Sequence, residues 1–209
     1  MLTLIQWQNA WQSIDAHASN IPIALFDDVI KRYSEPHRHY HSVQHLDECL
    51  AKLAELEHLA THPGEIELAL WFHDAIYEPR RNDNEELSAD WAKLSILSAG
   101  LDSAVADRIH ALIMATQHRT KPQDSDTQIM LDADLSILGA SPQRFQEYEI
   151  QIRQEYAFVP ETIFRAKRAE ILDRFMSQST IFNTPLFIER YEPIARLNLK
   201  HALENLCQI

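Results

Sequence analysis

The sequence is poor in glycine, in cysteine and in positive charge. Only three glycines occur in 209 residues, which disfavours a turn-rich all-β fold and favours helices. The two cysteines, Cys49 and Cys207, are too few for a disulfide framework and too far apart for a zinc-knuckle motif. No apolar run is long enough to span a membrane, and the first residues lack the features of a signal peptide. These absences predict a cytoplasmic protein.

The charge balance limits the expected partners. The chain has 31 acidic residues against 19 lysines and arginines, a formal net charge of −12. Such a surface repels the backbone of nucleic acids and anionic membranes, so we expect neither as a partner. A small anionic substrate remains compatible with this charge if a local cation receives it.

Apolar residues recur with helical spacing almost throughout, and no stretch alternates as a strand would. Pro22, Pro63 and Pro142 suit first helical turns, while Gly100 and Gly139 suit positions just past helix ends. No repeat, low-complexity segment or linker interrupts the pattern, which predicts an all-α helical bundle. The predicted helices cover residues 2–17, 22–33, 41–60, 64–77, 84–99, 102–118, 127–138, 142–156, 161–178 and 185–207.

His73 and Asp74 stand side by side in the apolar stretch ALWFHDAIYEP, residues 69–79. A helix over 64–77 would be apolar around most of its circumference, as in a central, buried helix. A carboxylate buried alone is very costly, so Asp74 needs a partner. A divalent cation would satisfy both side chains. A local ion pair or an exposed helix end would also explain the doublet.

Four histidines cluster at positions 37, 39, 41 and 45. His41 and His45 are four residues apart and share a helix face. His45 borders the apolar stripe of that helix, and His41 lies about 40° further towards its polar side. We therefore predict His45 as an inward ligand and His41 at the rim of a cavity, with His37 and His39 in a solvated turn. The stripe comprises Leu46, Cys49, Leu50, Leu53 and Leu56.

Two carboxylates occur within the apolar segment IMLDADLSILGA, residues 129–140. Asp134 shares its helix face with apolar side chains, so its carboxylate needs a buried partner. Asp132 points about 200° away around the helix, where it could reach water or accept a hydrogen bond from a ligand histidine. The apolar residues on the face of Asp134 are Met130, Leu131, Ile137 and Leu138.

The order His45, then His73-Asp74, then Asp134 resembles the HD-domain superfamily of metal-dependent phosphohydrolases, which are all-helical proteins. Further strings are similar to one bacterial subfamily of HD-type proteins: YSEPHRHYHSVQH, DNEELSA, ATQH, IRQEY and ARLNL. The similarity runs from about residue 33 to residue 199. The chain lacks the second-half motifs of cyclic-di-GMP phosphodiesterases and the synthetase domain of stringent-response enzymes, so those substrates are not implied.

The resemblance implies one HD-type domain over residues 1–209, with a core of about 33–140 and C-terminal helices 141–209 packed on it. It also implies a mononuclear site for one divalent metal ion. Two imidazoles and two carboxylates suit Mn, Fe, Co, Ni, Zn or Mg. The implied ligands are His45, His73, Asp74 and Asp134.

The activity implied by the resemblance is hydrolysis of a small phosphorylated metabolite or nucleotide by a metal-activated water. Asp74 would orient that water, and His41 or His118 would contact the phosphate or protonate the leaving group. Glu85, early in its helix, would be either a cap or a catalyst. Arginines would complement the phosphate charge. The main candidates are Arg38, Arg81 and Arg153, followed by Arg80, Arg119 and Lys121.

Two other functions are compatible with these motifs. Some HD-type proteins are di-iron oxygenases, which need two further histidines, and only His110 and His118 are available here. Both lie off the apolar stripe of their helix, which disfavours them as paired buried ligands. The second alternative is a regulatory module that binds a metal and a nucleotide without turnover.

Overall fold

The computed structural model describes residues 2–14 and 21–207. Every regular element within those ranges is a helix, and no strand occurs in them, so the predicted all-α fold is confirmed. No helix in these ranges combines the length and apolarity needed to cross a membrane. The chain divides into two compact units, Met1–Asp134 and Leu135–Ile209. The packing of the whole chain as one HD-type domain stays a prediction.

The N-terminal unit is built around one buried helix. Its described residues form α1 (Leu4–Ile14), α2 (Ile23–Tyr33), α3 (Val43–Leu56), α4 (Pro63–Phe72), α5 (Asn84–Ser98), α6 (Ser103–Ala115) and α7 (Ser125–Asp134). Helix α4 contacts α1, α3, α5, α6 and α7. It can be surrounded in this way because its sequence, PGEIELALWF, is apolar on almost every side. The end of α4 is therefore held firmly inside the unit.

Aromatic rings fix α4 against the first two helices. The Trp71 ring meets the Trp7 ring edge-on, with centroids 5.3 Å apart, and lies 6.0 Å from the Phe26 ring. Phe72 packs 5.9 Å from Trp7 on the next position along α4. Tilted and edge-on pairs of this kind add to the free energy gained by burial. They anchor the last turn of α4, which leads directly into His73 and Asp74.

The C-terminal unit begins with a 3₁₀-helix, Leu135–Gly139, and continues with α8 (Pro142–Glu155), α9 (Glu161–Met176), α10 (Pro185–Arg190) and α11 (Glu192–Cys207). The side-chain amide of Asn198 donates hydrogen bonds to the carbonyls of Leu138 and Ala140, each at 2.9 Å. Gly139 packs against Tyr191 so closely that a Cβ there would lie 2.7 Å from the Cβ of Tyr191. Helix α11 is thereby tied to the start of its own unit.

Most predicted helix boundaries agree with the structure to within a few residues, but the helix predicted over 185–207 is wrong. It is two helices, which break between Arg190 and Glu192. Pro193 explains the break, because its nitrogen cannot donate the helical hydrogen bond and its ring clashes with the preceding turn. The last residues of the helix predicted over 2–17 fall outside the described residues.

Candidate metal centre

Four side chains that the sequence analysis singles out meet in the N-terminal unit. His45 lies in the first turn of α3, His73 and Asp74 directly follow α4, and Asp134 is the last residue of α7. The Nε2 atom of His45 lies 3.1 Å from Nε2 of His73 and 3.4 Å from an oxygen of each carboxylate. Nε2 of His73 lies 3.1 Å from Oδ2 of Asp74 and 3.5 Å from Oδ1 of Asp134. Two nitrogens and two oxygens therefore converge on one point.

These separations fit the donor spacing of a metal site. Nitrogen and oxygen ligands lie about 2.0–2.2 Å from a metal such as Zn²⁺, so two of them are about 2.9 Å apart at a right angle and about 3.4 Å apart at a tetrahedral angle. The observed spacings of 3.1–3.5 Å overlap this range and lie close to the tetrahedral value. Two carboxylates also balance the charge of a divalent ion. The donor set and its geometry therefore fit such an ion.

Cys49 also belongs to this cluster. Its Sγ atom lies 3.6 Å from Nδ1 and 3.7 Å from Nε2 of His45. The ligand atoms of His45, Cys49, His73 and Asp134 all lie within 4.8 Å of one another, a group that could hold a metal ion. The apolar periodicity of α3 predicts Cys49 only as part of an apolar stripe. Its spacing of four residues from His45, which puts both on one helix face, is the signal that could have found it.

The tautomer of His73 is set by the helix that precedes it. Nδ1 of His73 lies 2.8 Å from the carbonyl oxygen of Leu70, so Nδ1–H donates to that carbonyl. In the neutral ring, Nε2 then carries the lone pair, and Nε2 is the atom that faces the other ligands. A backbone acceptor of this kind orients a metal-binding imidazole.

The His-Asp doublet lies beyond the end of α4, so the helix predicted over 64–77 is wrong at its C-terminal end. The chain can leave the helix at Phe72 because other groups satisfy its backbone. The N–H of Asp74 donates to the Tyr33 hydroxyl at 3.1 Å, and Arg38 donates to the carbonyls of Asp74 and Ala75 at 2.5 and 3.0 Å. Burial raises the pKa of Tyr33 to about 12. Its hydroxyl therefore stays neutral beside Asp74.

Arg38, a predicted phosphate contact, binds the backbone of the turn that carries His73 and Asp74. Its side chain is 0 % exposed. Besides the two carbonyls after α4, it donates to the Glu35 carboxylate at 3.1 Å and to the His41 carbonyl at 3.2 Å. These bonds occupy most of its N–H donors. We therefore assign Arg38 a positioning role in the turn that holds His73 and Asp74.

The other two predicted phosphate contacts also bind protein groups. Arg81 is on the surface and donates two hydrogen bonds to the Asp83 carboxylate, at 2.8 and 2.6 Å. Arg153 belongs to the C-terminal unit, where it donates to the Glu161 carboxylate and to the carbonyls of Tyr156 and Val159. Substrate contact by either arginine stays a prediction.

His118 reaches the candidate metal centre from the loop after α6. Its Nε2 atom lies 3.3 Å from Oδ2 of Asp134, on the carboxylate oxygen that does not face His45 and His73. Its backbone has a φ of +51°, in the left-handed region that side chains other than glycine rarely adopt. Such a conformation at a residue other than glycine costs about 1–3 kcal/mol and is concentrated at functional sites. The strained turn is what aims the ring at Asp134.

The remaining histidines have other neighbours. His41 stacks on the Tyr77 ring, with centroids 4.0 Å apart and an angle of 25° between the planes. His37 and His39 are exposed, as expected for a solvated turn. His110 pairs with Asp90 at 3.3 Å. His110 and His118 thus contact different carboxylates, an arrangement that does not favour a second iron site.

The prediction that the Asp132 side chain could reach water is wrong, because Asp132 is 0 % exposed. The other part of the prediction agrees with the structure, since Oδ1 of Asp134 lies 3.4 and 3.5 Å from Nε2 of His45 and His73. The error lies in what covers the other face. Helix α7 contacts α3, α4 and α6, so both of its faces are covered. Glu85, which the sequence predicts to be either a helix cap or a catalyst, lies in the first turn of α5.

The four side chains of the cluster shift one another's pKa values when no ion is bound. Burial lowers the pKa of His45 and of His73, but their neighbours outweigh it and hold both values well above the ordinary one. These neighbours are Cys49, Tyr40 and the two carboxylates for His45, and the two carboxylates with Tyr33 for His73. Burial raises the pKa of Asp74 and of Asp134, but the imidazoles outweigh it and hold both values well below the ordinary one. In the metal-free protein, the imidazoles and the carboxylates therefore stabilise each other's charged forms.

Metal binding should consequently release protons, and the affinity should rise with pH. Because the pKa values of His45 and His73 are raised well above the ordinary one, protons on these rings compete with the ion for Nε2. Calorimetric titration with Zn²⁺ or Mn²⁺ in two buffers of different ionisation enthalpy measures the number of protons released. An apparent binding enthalpy that is the same in both buffers would contradict the protonated state of the cluster.

The stability of the metal-free protein should show the same linkage. The histidine contribution is fully present below the ordinary pKa of 6.5 and is lost as the pH rises through the raised values. The aspartate contribution is present above the ordinary pKa of 3.8 and is lost as the pH falls through the lowered values. The cluster therefore stabilises the metal-free fold most between these two ordinary values.

The fold and the cluster together define an all-helical protein with a candidate metal centre in its N-terminal unit. No protein-family description, no protein of curated function and no solved structure matches the chain. The likeness to HD-domain proteins rests on the sequence motifs, and the geometry of the cluster stands independently of it.

Proposed function

We propose that the protein is a metal-dependent phosphohydrolase that acts on a small phosphorylated metabolite or nucleotide. The observation that supports this most is the convergence of His45, His73, Asp74 and Asp134, with donor atoms 3.1–3.5 Å apart. The reaction class comes from the order of these residues in the chain, which resembles that of HD-type phosphohydrolases. Fold and resemblance alone do not establish a reaction, and the release of phosphate from defined substrates tests the activity itself.

The four side chains would hold one divalent ion between them. A bound ion would polarise a phosphoryl oxygen and lower the pKa of a bound water. The imidazole side chains of His45 and His73 are 3 % and 0 % exposed, whereas the side chains of Asp74 and Asp134 are 15 % and 14 % exposed. The histidines therefore close the inner side of the centre, and a substrate reaches it past the carboxylates.

Asp74 is positioned to orient a water molecule. Its Oδ2 atom faces the two imidazoles, which leaves Oδ1 to accept a hydrogen bond from an attacking water on the accessible side. The Tyr33 hydroxyl and the Arg38 side chain form hydrogen bonds with the backbone of Asp74, which fixes the position from which its carboxylate extends. Fixed acceptors of this kind contribute to catalysis by orienting the nucleophile.

His118 is the best placed side chain to handle the leaving group. It is 21 % exposed, so its ring can meet a substrate, and Asp134 holds its Nε2 atom at 3.3 Å. A positioned imidazole can donate a proton to the departing oxygen or contact the phosphate. His41, stacked on Tyr77, is held by an aromatic contact and is the second candidate for this role.

Phosphate release from a panel of phosphomonoesters and nucleotides should require an added divalent metal and should be lost in His45→Ala. Nε2 of His45 lies 3.1–3.4 Å from donor atoms of the other three ligands, so its removal leaves the centre incomplete. The measurement is inorganic phosphate released by metal-reconstituted protein. His110→Ala is the matched control, because His110 pairs with Asp90 and should be dispensable.

His118→Gln separates binding from chemistry. It should retain the metal and reduce turnover by about 10²–10⁴-fold, the usual contribution of a positioned acid or base. A protein with its metal bound that releases no phosphate from any compound in the panel would overturn the hydrolase proposal. That outcome would favour the regulatory module that binds without turnover.

A further inference from the structure

Cys49 is the member of the cluster that the proposed reaction leaves without a role. It is 1 % exposed and lies one turn along α3 from His45. Its Sγ atom lies within 4.8 Å of the ligand atoms of His45, His73 and Asp134. A buried thiol is often only a small apolar side chain, but one surrounded by metal-binding atoms has a second possible function.

The position of the sulfur argues against a simple hydrogen bond to His45. An acceptor in line with the Nδ1–H bond would lie much farther from Nε2, which is across the ring. Sγ instead lies at nearly equal distances from both ring nitrogens, 3.6 and 3.7 Å. It therefore lies away from the direction of either N–H bond. Because the sulfur is attached through one rotatable bond, it can adjust towards an ion while α3 stays in place.

We propose that Cys49 supplies a sulfur ligand to the metal and thereby determines which metals the centre accepts. This inference rests on the proposed metal site and adds to it the class of ion. When the sulfur binds, the thiol gives its proton to solvent and acts as a thiolate. Thiolate favours Zn²⁺ and other thiophilic ions, whereas oxygen ligands favour Mg²⁺ and Mn²⁺. The centre therefore prefers Zn²⁺, Fe²⁺ or Co²⁺ to Mg²⁺.

Cobalt spectroscopy tests the sulfur ligand directly. The wild-type protein loaded with Co²⁺ should show a near-ultraviolet charge-transfer band from sulfur to cobalt, and Cys49→Ser should lose it. Cys207→Ser is the matched control: Cys207 is exposed and is the only other cysteine, so this variant should keep the band. Cys49→Ala serves as a second variant if serine disturbs folding, which circular dichroism of each protein would reveal.

Metal competition provides the second readout. With Zn²⁺ and Mn²⁺ present together, the ratio of bound zinc to bound manganese should fall in Cys49→Ser by more than the about 10–100-fold effect typical of an outer-shell change. Unchanged selectivity, together with an unchanged cobalt spectrum, would overturn the role of Cys49 while leaving the four-residue metal site intact. If the wild-type protein binds no Co²⁺ at all, both the metal site and the sulfur ligand are refuted.

Discussion

Replacing either His73 or Asp74 with alanine should abolish metal binding, whereas the wild-type protein should bind about one divalent ion per chain. The two side chains lie 3.1 Å apart and each contacts His45, so either substitution removes a ligand from the centre of the cluster. Elemental analysis after dialysis against a defined metal buffer measures the stoichiometry. Equal metal content in the wild type and in both variants would refute the site.

The same experiment has a matched control and an independent readout. His110→Ala removes a histidine that pairs with Asp90 and should leave the metal content unchanged. Chelation should lower the melting temperature of the wild-type protein, because an ion that binds only the folded state stabilises it. The melting temperature of His73→Ala should not respond to the chelator.

Two acids in one helix should respond very differently to the same substitution. Asp134→Asn should reduce metal affinity by more than the about 10–100-fold expected for an outer-shell change. Its carboxylate contacts three imidazoles, His45 and His73 through Oδ1 and His118 through Oδ2. The neutral amide removes the charge that both the ion and these histidines require.

Asp132→Asn should keep the metal. Asp132 is buried in the same helix, and the carboxylate that lies 3.4 and 3.5 Å from Nε2 of His45 and His73 belongs to Asp134, so the Asp132 substitution should affect folding stability more than metal occupancy. Calorimetric titration with Zn²⁺ gives the affinity of each variant, and thermal melting gives its stability. Loss of metal in Asp132→Asn with retention in Asp134→Asn would show that the fourth ligand is misassigned.

Much of this arrangement follows from hydrophobic periodicity. The apolar helix predicted over residues 64–77 must be buried, and a carboxylate within it must have a partner, which is enough to select the His73-Asp74 doublet. The helical phase also selects Asp134 as an acid that faces the imidazoles of His45 and His73. These conclusions need only the side-chain pattern along one element.

Other features cannot be predicted from the sequence, because they depend on contacts between helices and loops that are distant along the chain. The burial of Asp132 depends on three helices that cover α7. The role of Arg38 depends on carbonyls 36 and 37 residues further along the chain. The end of α4 at Phe72 depends on the groups that replace its helical hydrogen bonds. The sequence spacing places Cys49 beside His45, but its proximity to His73 and Asp134 depends on the packing of other elements against α3.

The left-handed backbone at His118 also has a consequence for protein engineering. Glycine adopts this conformation without the steric cost that histidine bears there, so a selection for thermal stability alone should enrich glycine at position 118. That change would delete the imidazole that contacts Asp134. Stability and the proposed activity thus favour different residues at one position, and a thermostable variant library would reveal this trade-off as stable proteins that no longer turn over substrate.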